Sequence, residues 1–411
     1  HIPSHSFPTR RSSDLLQRVL LTILLMLAAF SYHPLFLQSE TLSLNLYVYA
    51  ITLMLLLLNF YPKRILNMRF LPAFLLLAMV VIAAALVFKS IGFAGEYLSE
   101  IPAILLPCVL MIIGHNAPIS TKDWTVILLI YCASLIFVLS TQIMTNIGAF
   151  QIAEEYIMGS EKNAAGVMLA VAIVALLLLY FAHRDKLSLS MRCVTLAMLA
   201  VLFLVMVTLR ARGAMLTVVI CAIIAFLQMC RFKRETHFFR YLKILGGGAL
   251  VLLLLLLVSG FPIMSIYDYF YDSFFLNKTG DFSSGRMDRN IAAIEVIRES
   301  PLWGRMVYNI DIKWVHNYLL LKISDYGIVG ALPLLFPYFY LIFFVVREHQ
   351  KKNSFTFENV GFWVLLVLLI ISLVEPSLPY APGTAVTLSY LLLGFSLRQN
   401  SLNEEKKLNL N

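Results

Sequence analysis

The chain has 411 residues, 60% of them apolar and only 13% charged, with a mean hydropathy of +0.83 and a formal net charge of +9. That balance lies outside the range of soluble globular chains and excludes them as a class. At such hydropathy only helices satisfy every backbone group, so the expected class is an all-α polytopic membrane protein.

The first residues stand apart. His1 to Leu15 carries Pro3, Pro8, Arg10, Arg11 and several serines with no apolar core, so it does not read as a signal peptide. The string from Phe7 to Leu15 has the look of a translated sequencing adapter; residues 1–15 are expected to be a non-native leader and receive no function. From there, apolar runs able to cross a hydrocarbon core of about 30 Å recur along the chain. They predict twelve spans: 19–37, 42–61, 70–88, 97–114, 124–144, 163–181, 192–209, 213–230, 242–260, 326–346, 360–374 and 376–396.

Lys and Arg placement orients these spans. With the N-terminus in the cytoplasm, 21 of the 32 basic residues fall in cytoplasmic segments. Seven of the remainder lie between Lys278 and Lys322, leaving only Lys89, Lys162, Arg210 and Arg212 elsewhere on the opposite face. Both termini are therefore expected in the cytoplasm, and the net charge reads as a topology signal, with no nucleic-acid partner. The five cysteines (Cys108, Cys132, Cys193, Cys221, Cys230) occupy spans or cytoplasmic ends and form no CxxC or Cys/His metal spacing.

One segment breaks the pattern: a polar, arginine-rich extracytoplasmic loop over 261–314. Within it, Ser283 or Ser284 is a fair N-cap for a helix over Arg286–Glu299, stopped by Ser300-Pro301. Met287, Ile291, Ile294 and Ile297 form one apolar stripe, with Arg289, Glu295 and Glu299 off it, so the helix is expected on the outer membrane surface or on the ends of the spans. Arg286 in its first turn suits a phosphate, or else snorkels to lipid phosphates. Arg210 and Arg212 sit in a hairpin that needs Gly213 for sterics but not arginine. They are functional candidates, Arg212 the better one, or interfacial anchors. His316 follows Trp314 and opens an apolar stretch. Val315–Val346 would span about 48 Å as one helix, too long for one crossing, so Gly327 and Gly330 are expected to mark a break. That holds His316 at the surface with a near-neutral pKa, either as a base or as a hydrogen-bonded structural histidine.

The motif order here resembles the O-antigen ligase and polymerase family of bacterial surface polysaccharide assembly. The matching pieces are Asn163-Ala-Ala-Gly166, Arg212-Gly-Ala214, Ser284-Gly-Arg286, Ser300-Pro-Leu-Trp-Gly304, His316-Asn-Tyr-Leu319 and Gly327-Ile-Val-Gly330. The resemblance implies a GT-C-like fold of about twelve transmembrane helices. Residues 16–162 would be N-terminal spans, 163–346 the family core, 347–397 C-terminal spans and 398–411 a cytoplasmic tail. It also implies a metal-independent, inverting glycosyltransferase without cofactor, in the inner membrane. Such an enzyme moves a glycan from undecaprenyl pyrophosphate to a polysaccharide or lipid A-core acceptor in capsule or lipopolysaccharide assembly. Arg212 and Arg286 would then hold the pyrophosphate, with Arg210 and Arg289 as further binding candidates. His316 would activate or orient the acceptor hydroxyl, with Asn317 in support. One departure is that only eleven residues separate Gly304 from His316. The competing class is a transporter or flippase of lipid-linked sugars, which predicts charges buried mid-span and interrupted helices.

Overall fold

The computed structural model of the chain describes residues 9–37, 44–61, 71–90, 94–145, 161–183, 188–209, 211–231, 286–305, 315–350, 356–380 and 383–408. Among these residues there is no strand. The main helices are α1 (Thr9–Phe30), α2 (Leu44–Leu58), α3 (Leu71–Ser90), α4 (Ala94–Asn116), α5 (Thr121–Thr145), α6 (Glu161–His183), α7 (Leu189–Thr208) and α8 (Arg212–Arg231). They continue with α9 (Arg286–Glu299), α10 (Tyr318–His349), α11 (Val360–Ile371) and α12 (Thr387–Leu408).

Helix occurs on eleven of the twelve expected spans, and 242–260 lies outside the described residues. Four described helices are long and apolar enough to cross a membrane: Thr121–Met144, Asn163–Ala182, Leu189–Thr208 and Tyr318–His349. Three helices differ from their expected spans for visible reasons. α11 has 12 residues, about 18 Å of rise against a core of about 30 Å. α12 starts only at Thr387, because residues 376–380 form turns, and its second half is polar. α1 begins at Thr9, so part of the polar leader is helical and the first helix ends at Phe30, before the predicted 37.

The outward faces are apolar. α8 exposes Leu216, Val219, Ile223 and Leu227 at helical spacing, and α10 exposes Leu332, Phe336, Phe339 and Phe343. Contiguous apolar surface of this extent suits lipid, and it points to membrane association. The interior is centred on α6, whose residues from Ala164 to Ala175 are all buried, enclosed by α5, α7, α8 and α11. α4 and α12 form the closest pair. A Cβ on Gly114 would stand 2.0 Å from the Leu391 carbonyl oxygen, and one on Gly394 would stand 2.2 Å from that of Met111. Glycine here lets two backbones touch, as at small-residue contacts between membrane helices.

α10 is broken where its length demanded it. Gly327 has φ +63° and ψ −178°, which no side chain tolerates well. Into this break docks the turn Pro301–Gly304: Ile328 N donates to Pro301 O at 2.8 Å and Val329 N to Leu302 O at 3.3 Å. Gly304 itself has φ +68°, and a Cβ there would lie 2.5 Å from Gly327 N. The Ser-Pro-Leu-Trp-Gly and Gly-Ile-Val-Gly motifs are thus one interlocked backbone unit. It fixes α9 against the start of α10.

Candidate functional site

The site is built around the turn that ends α11. Backbone carbonyls past a helix end need partners from elsewhere, and the three that follow α11 are taken up here by other segments. Tyr318 N donates to Ser372 O at 3.0 Å, Asn317 Nδ2 to Leu373 O at 3.0 Å, and Arg286 Nη1 to Val374 O at 2.9 Å. The Arg286 Nη2 also reaches Glu375 Oε1 at 3.2 Å. A cation at the negative end of α11 is favourable in itself. Asn317 also starts α10, because its side-chain oxygen accepts from Leu320 N at 3.1 Å and caps that helix.

α9 spans Arg286–Glu299 as expected, while its cap candidates Ser283 and Ser284 lie outside the described residues. Of the two placements expected for its apolar stripe, the outward one fits: α9 packs another face against α10. Arg286, Arg289, Asn290, Ala293 and Val296 turn inward, with Ala293 and Val296 buried. Met287, Ile291 and Ile294 are exposed, about a third of a turn away. Arg289, one turn on from Arg286, lies on the same inner face.

Arg289 meets His316. Its Nη1 is 2.7 Å from His316 Nε2. A guanidinium can only donate, so Nε2 accepts and the ring proton sits on Nδ1. That Nδ1 is enclosed with no hydrogen-bond partner among the described residues, and so is Asn290 Oδ1. The near-neutral pKa expected for His316 is corrected. Burial, with Arg286 and Arg289 nearby, pushes the imidazole down to about 4, so it is neutral at physiological pH.

The Arg212 motif reaches the same turn from another direction. Arg212 opens α8, and a Cβ on Gly213 would lie 3.1 Å from Val374 Cγ2. On its other side a Cβ on Gly166 would meet Ala211 Cβ at 2.8 Å and Ala214 Cβ at 3.2 Å. The Asn163 and Arg212 motifs therefore pack together. Asn163, Ala211, Gly213, Ala214, Ile371 and Glu375 line a cleft of about 10 Å³, room for one water and not for a diphosphate. Arg210, and the loop residues 261–285 and 306–314, lie outside the described residues.

Of the sequence candidates, Arg286, Arg289, His316 and Asn317 are brought into direct or one-residue contact, and the Arg212 helix start adjoins them. Glu375 was not anticipated. Its signal was available: a lone carboxylate in a Glu-Pro turn between two apolar runs, on the arginines' face by the charge count. A second polar cluster lies along the first turns of α10. Lys322 pairs with Glu100, Tyr326 Oη donates to the same carboxylate at 3.2 Å, and Arg305 pairs with Asp325. Among the described residues no three His, Cys, Asp or Glu side chains converge as metal ligands. Set against known proteins, the chain matches no family model and no curated protein.

Proposed function

We propose that the chain is a membrane glycosyltransferase of the O-antigen ligase and polymerase type, with a GT-C-like fold. It moves a glycan from undecaprenyl pyrophosphate to a lipid-linked or lipid A-core acceptor at the extracytoplasmic face of the bacterial inner membrane. The reaction is inverting and needs no metal ion. The observation that carries this reading is the meeting of Arg286, Arg289, His316 and the Arg212 helix start around the end of α11. Paired guanidiniums offset the charge that develops on a leaving diphosphate, the work a divalent cation does elsewhere. A neutral imidazole beside them handles the acceptor hydroxyl.

A second reading, a transporter or flippase of lipid-linked sugars, draws on the break in α10 at Gly327 beside the buried Lys322–Glu100 pair. One experiment separates the two. Purified protein is given an undecaprenyl pyrophosphate-linked oligosaccharide with either a lipid-linked repeat unit or lipid A-core as acceptor, in the presence of a chelator. The transferase yields an extended acceptor and free undecaprenyl pyrophosphate, and Arg286→Ala and His316→Ala abolish the product. Movement of the intact donor across vesicles without product supports the transporter. The acceptor that is extended separates polymerase from ligase.

A further inference from the structure

The Arg289–His316 contact has a chemical consequence for any base role of His316. A general base needs a lone pair, and in neutral imidazole only one ring nitrogen has it. Here that nitrogen is Nε2, and Arg289 Nη1 occupies it at 2.7 Å. The other nitrogen, Nδ1, carries the proton and is enclosed without a partner among the described residues. As held, His316 offers no site to accept a proton. Arg289 is only half-buried, one helical turn from Arg286 on the inner face of α9. Its present acceptor is uncharged. An anionic phosphate oxygen is a stronger acceptor for a guanidinium, since both partners then carry charge.

We infer that Arg289 is a latch on His316: in the empty site it caps Nε2, and a bound diphosphate draws the guanidinium away and uncovers the lone pair. This rests on the transferase reading. The acceptor hydroxyl then gives its proton to Nε2 while its oxygen bonds to the anomeric carbon. The bond from that carbon to the diphosphate oxygen breaks, and the electron pair leaves on the diphosphate, held by Arg286 and Arg289. His316, with Nδ1–H already in place, becomes imidazolium. Departure of Arg289 also removes one of the two cations that hold the ring's pKa down. Base activation thereby waits for the donor, and Arg289 is a positioning residue for His316 as well as a ligand for the diphosphate.

The test is acylation of His316 by diethyl pyrocarbonate at neutral pH in the full-length protein in detergent, read by peptide mass spectrometry. Inorganic pyrophosphate is the probe, with chloride at matched ionic strength as control. Wild type is expected to label slowly, and pyrophosphate to raise the rate about tenfold, the scale of one charge-assisted hydrogen bond. Arg289→Met, which keeps the stem and removes the donors, labels fast from the start with no further rise. Equal labelling of wild type and Arg289→Met without pyrophosphate overturns the latch. So does a wild-type rate that pyrophosphate leaves unchanged or lowers, an arm that needs no variant to fold. Unmasking by pyrophosphate without glycan transfer would fail the transferase reading and keep the latch; transfer without unmasking would do the reverse.

Discussion

Arg286 divides its guanidinium between the backbone and Glu375, with Nη1 on Val374 O at 2.9 Å and Nη2 on the Glu375 carboxylate at 3.2 Å. The side chain is still 31% exposed, so it is oriented from behind and open in front. Lysine keeps the charge but cannot make both contacts and still present a fork to phosphate. Arg286→Lys is therefore expected to lower glycan transfer by about tenfold to a hundredfold, the loss of one or two hydrogen bonds to charged groups. Glu375→Gln keeps a carbonyl acceptor for Nη2 and should cost less than Glu375→Ala. Transfer rates of the four proteins at saturating lipid-linked donor check this ordering.

Much of this site could be read from local pattern, and the rest depended on contacts between distant segments. The end of α9 followed from its serine-proline stop, and the break at Gly327 from helix length against membrane thickness. Both are short-range constraints. Glu375 matters because the last turn of α11 meets α9 and the start of α10, which no local pattern records. The apolar stripe of α9 was legible, but its direction stayed open between the membrane surface and the ends of the spans, for a physical reason. Where one side meets protein and another meets lipid, both are apolar, and periodicity cannot tell them apart. The smaller Ala293 and Val296 pack on α10, while Met287, Ile291 and Ile294 face outward.

The interlock of Gly304 and Gly327 makes a stability prediction. Gly327→Ala puts a Cβ 2.2 Å from the Leu302 carbonyl and forces alanine to a positive φ. Strain at such a backbone costs about 1–3 kcal/mol before the clash is counted. The thermal midpoint in detergent should fall clearly, with loss of transfer, because the docked turn fixes α9 and hence both arginines. Gly330→Ala, at a residue with ordinary helical backbone, should fall much less.

The Lys322–Glu100 pair predicts a non-additive cycle. Lys322 is only 8% exposed in its side chain and Glu100 16%. Removing one partner strands the other charge, a loss of about 3–5 kcal/mol. Lys322→Met should therefore lower the thermal midpoint strongly. The double substitution Lys322→Met with Glu100→Gln should recover most of it, since Gln keeps an acceptor for Tyr326. Double-mutant analysis of the midpoints measures the coupling.

His316 makes stability and activity depend on pH in a defined window. Its pKa is about 4 in the fold against 6.5 for a free imidazole, because burial and the two arginines disfavour the cation. Above about 6.5 neither state binds the proton and the contribution to stability is complete. Between about 6.5 and 4 only the unfolded chain takes the proton up, so stability falls as pH falls. Thermal midpoints from pH 8 to 4 should drop more for wild type than for His316→Asn, with Arg289→Met between them. Kinetics carry the same information twice. The acid limb of kcat/KM reports the free enzyme and should lie well below 6.5, whereas that of kcat reports the donor complex. If a diphosphate removes Arg289 and adds negative charge beside the ring, the kcat limb moves up toward 6.5. Coincident limbs would mean that His316 keeps its arginine throughout the reaction.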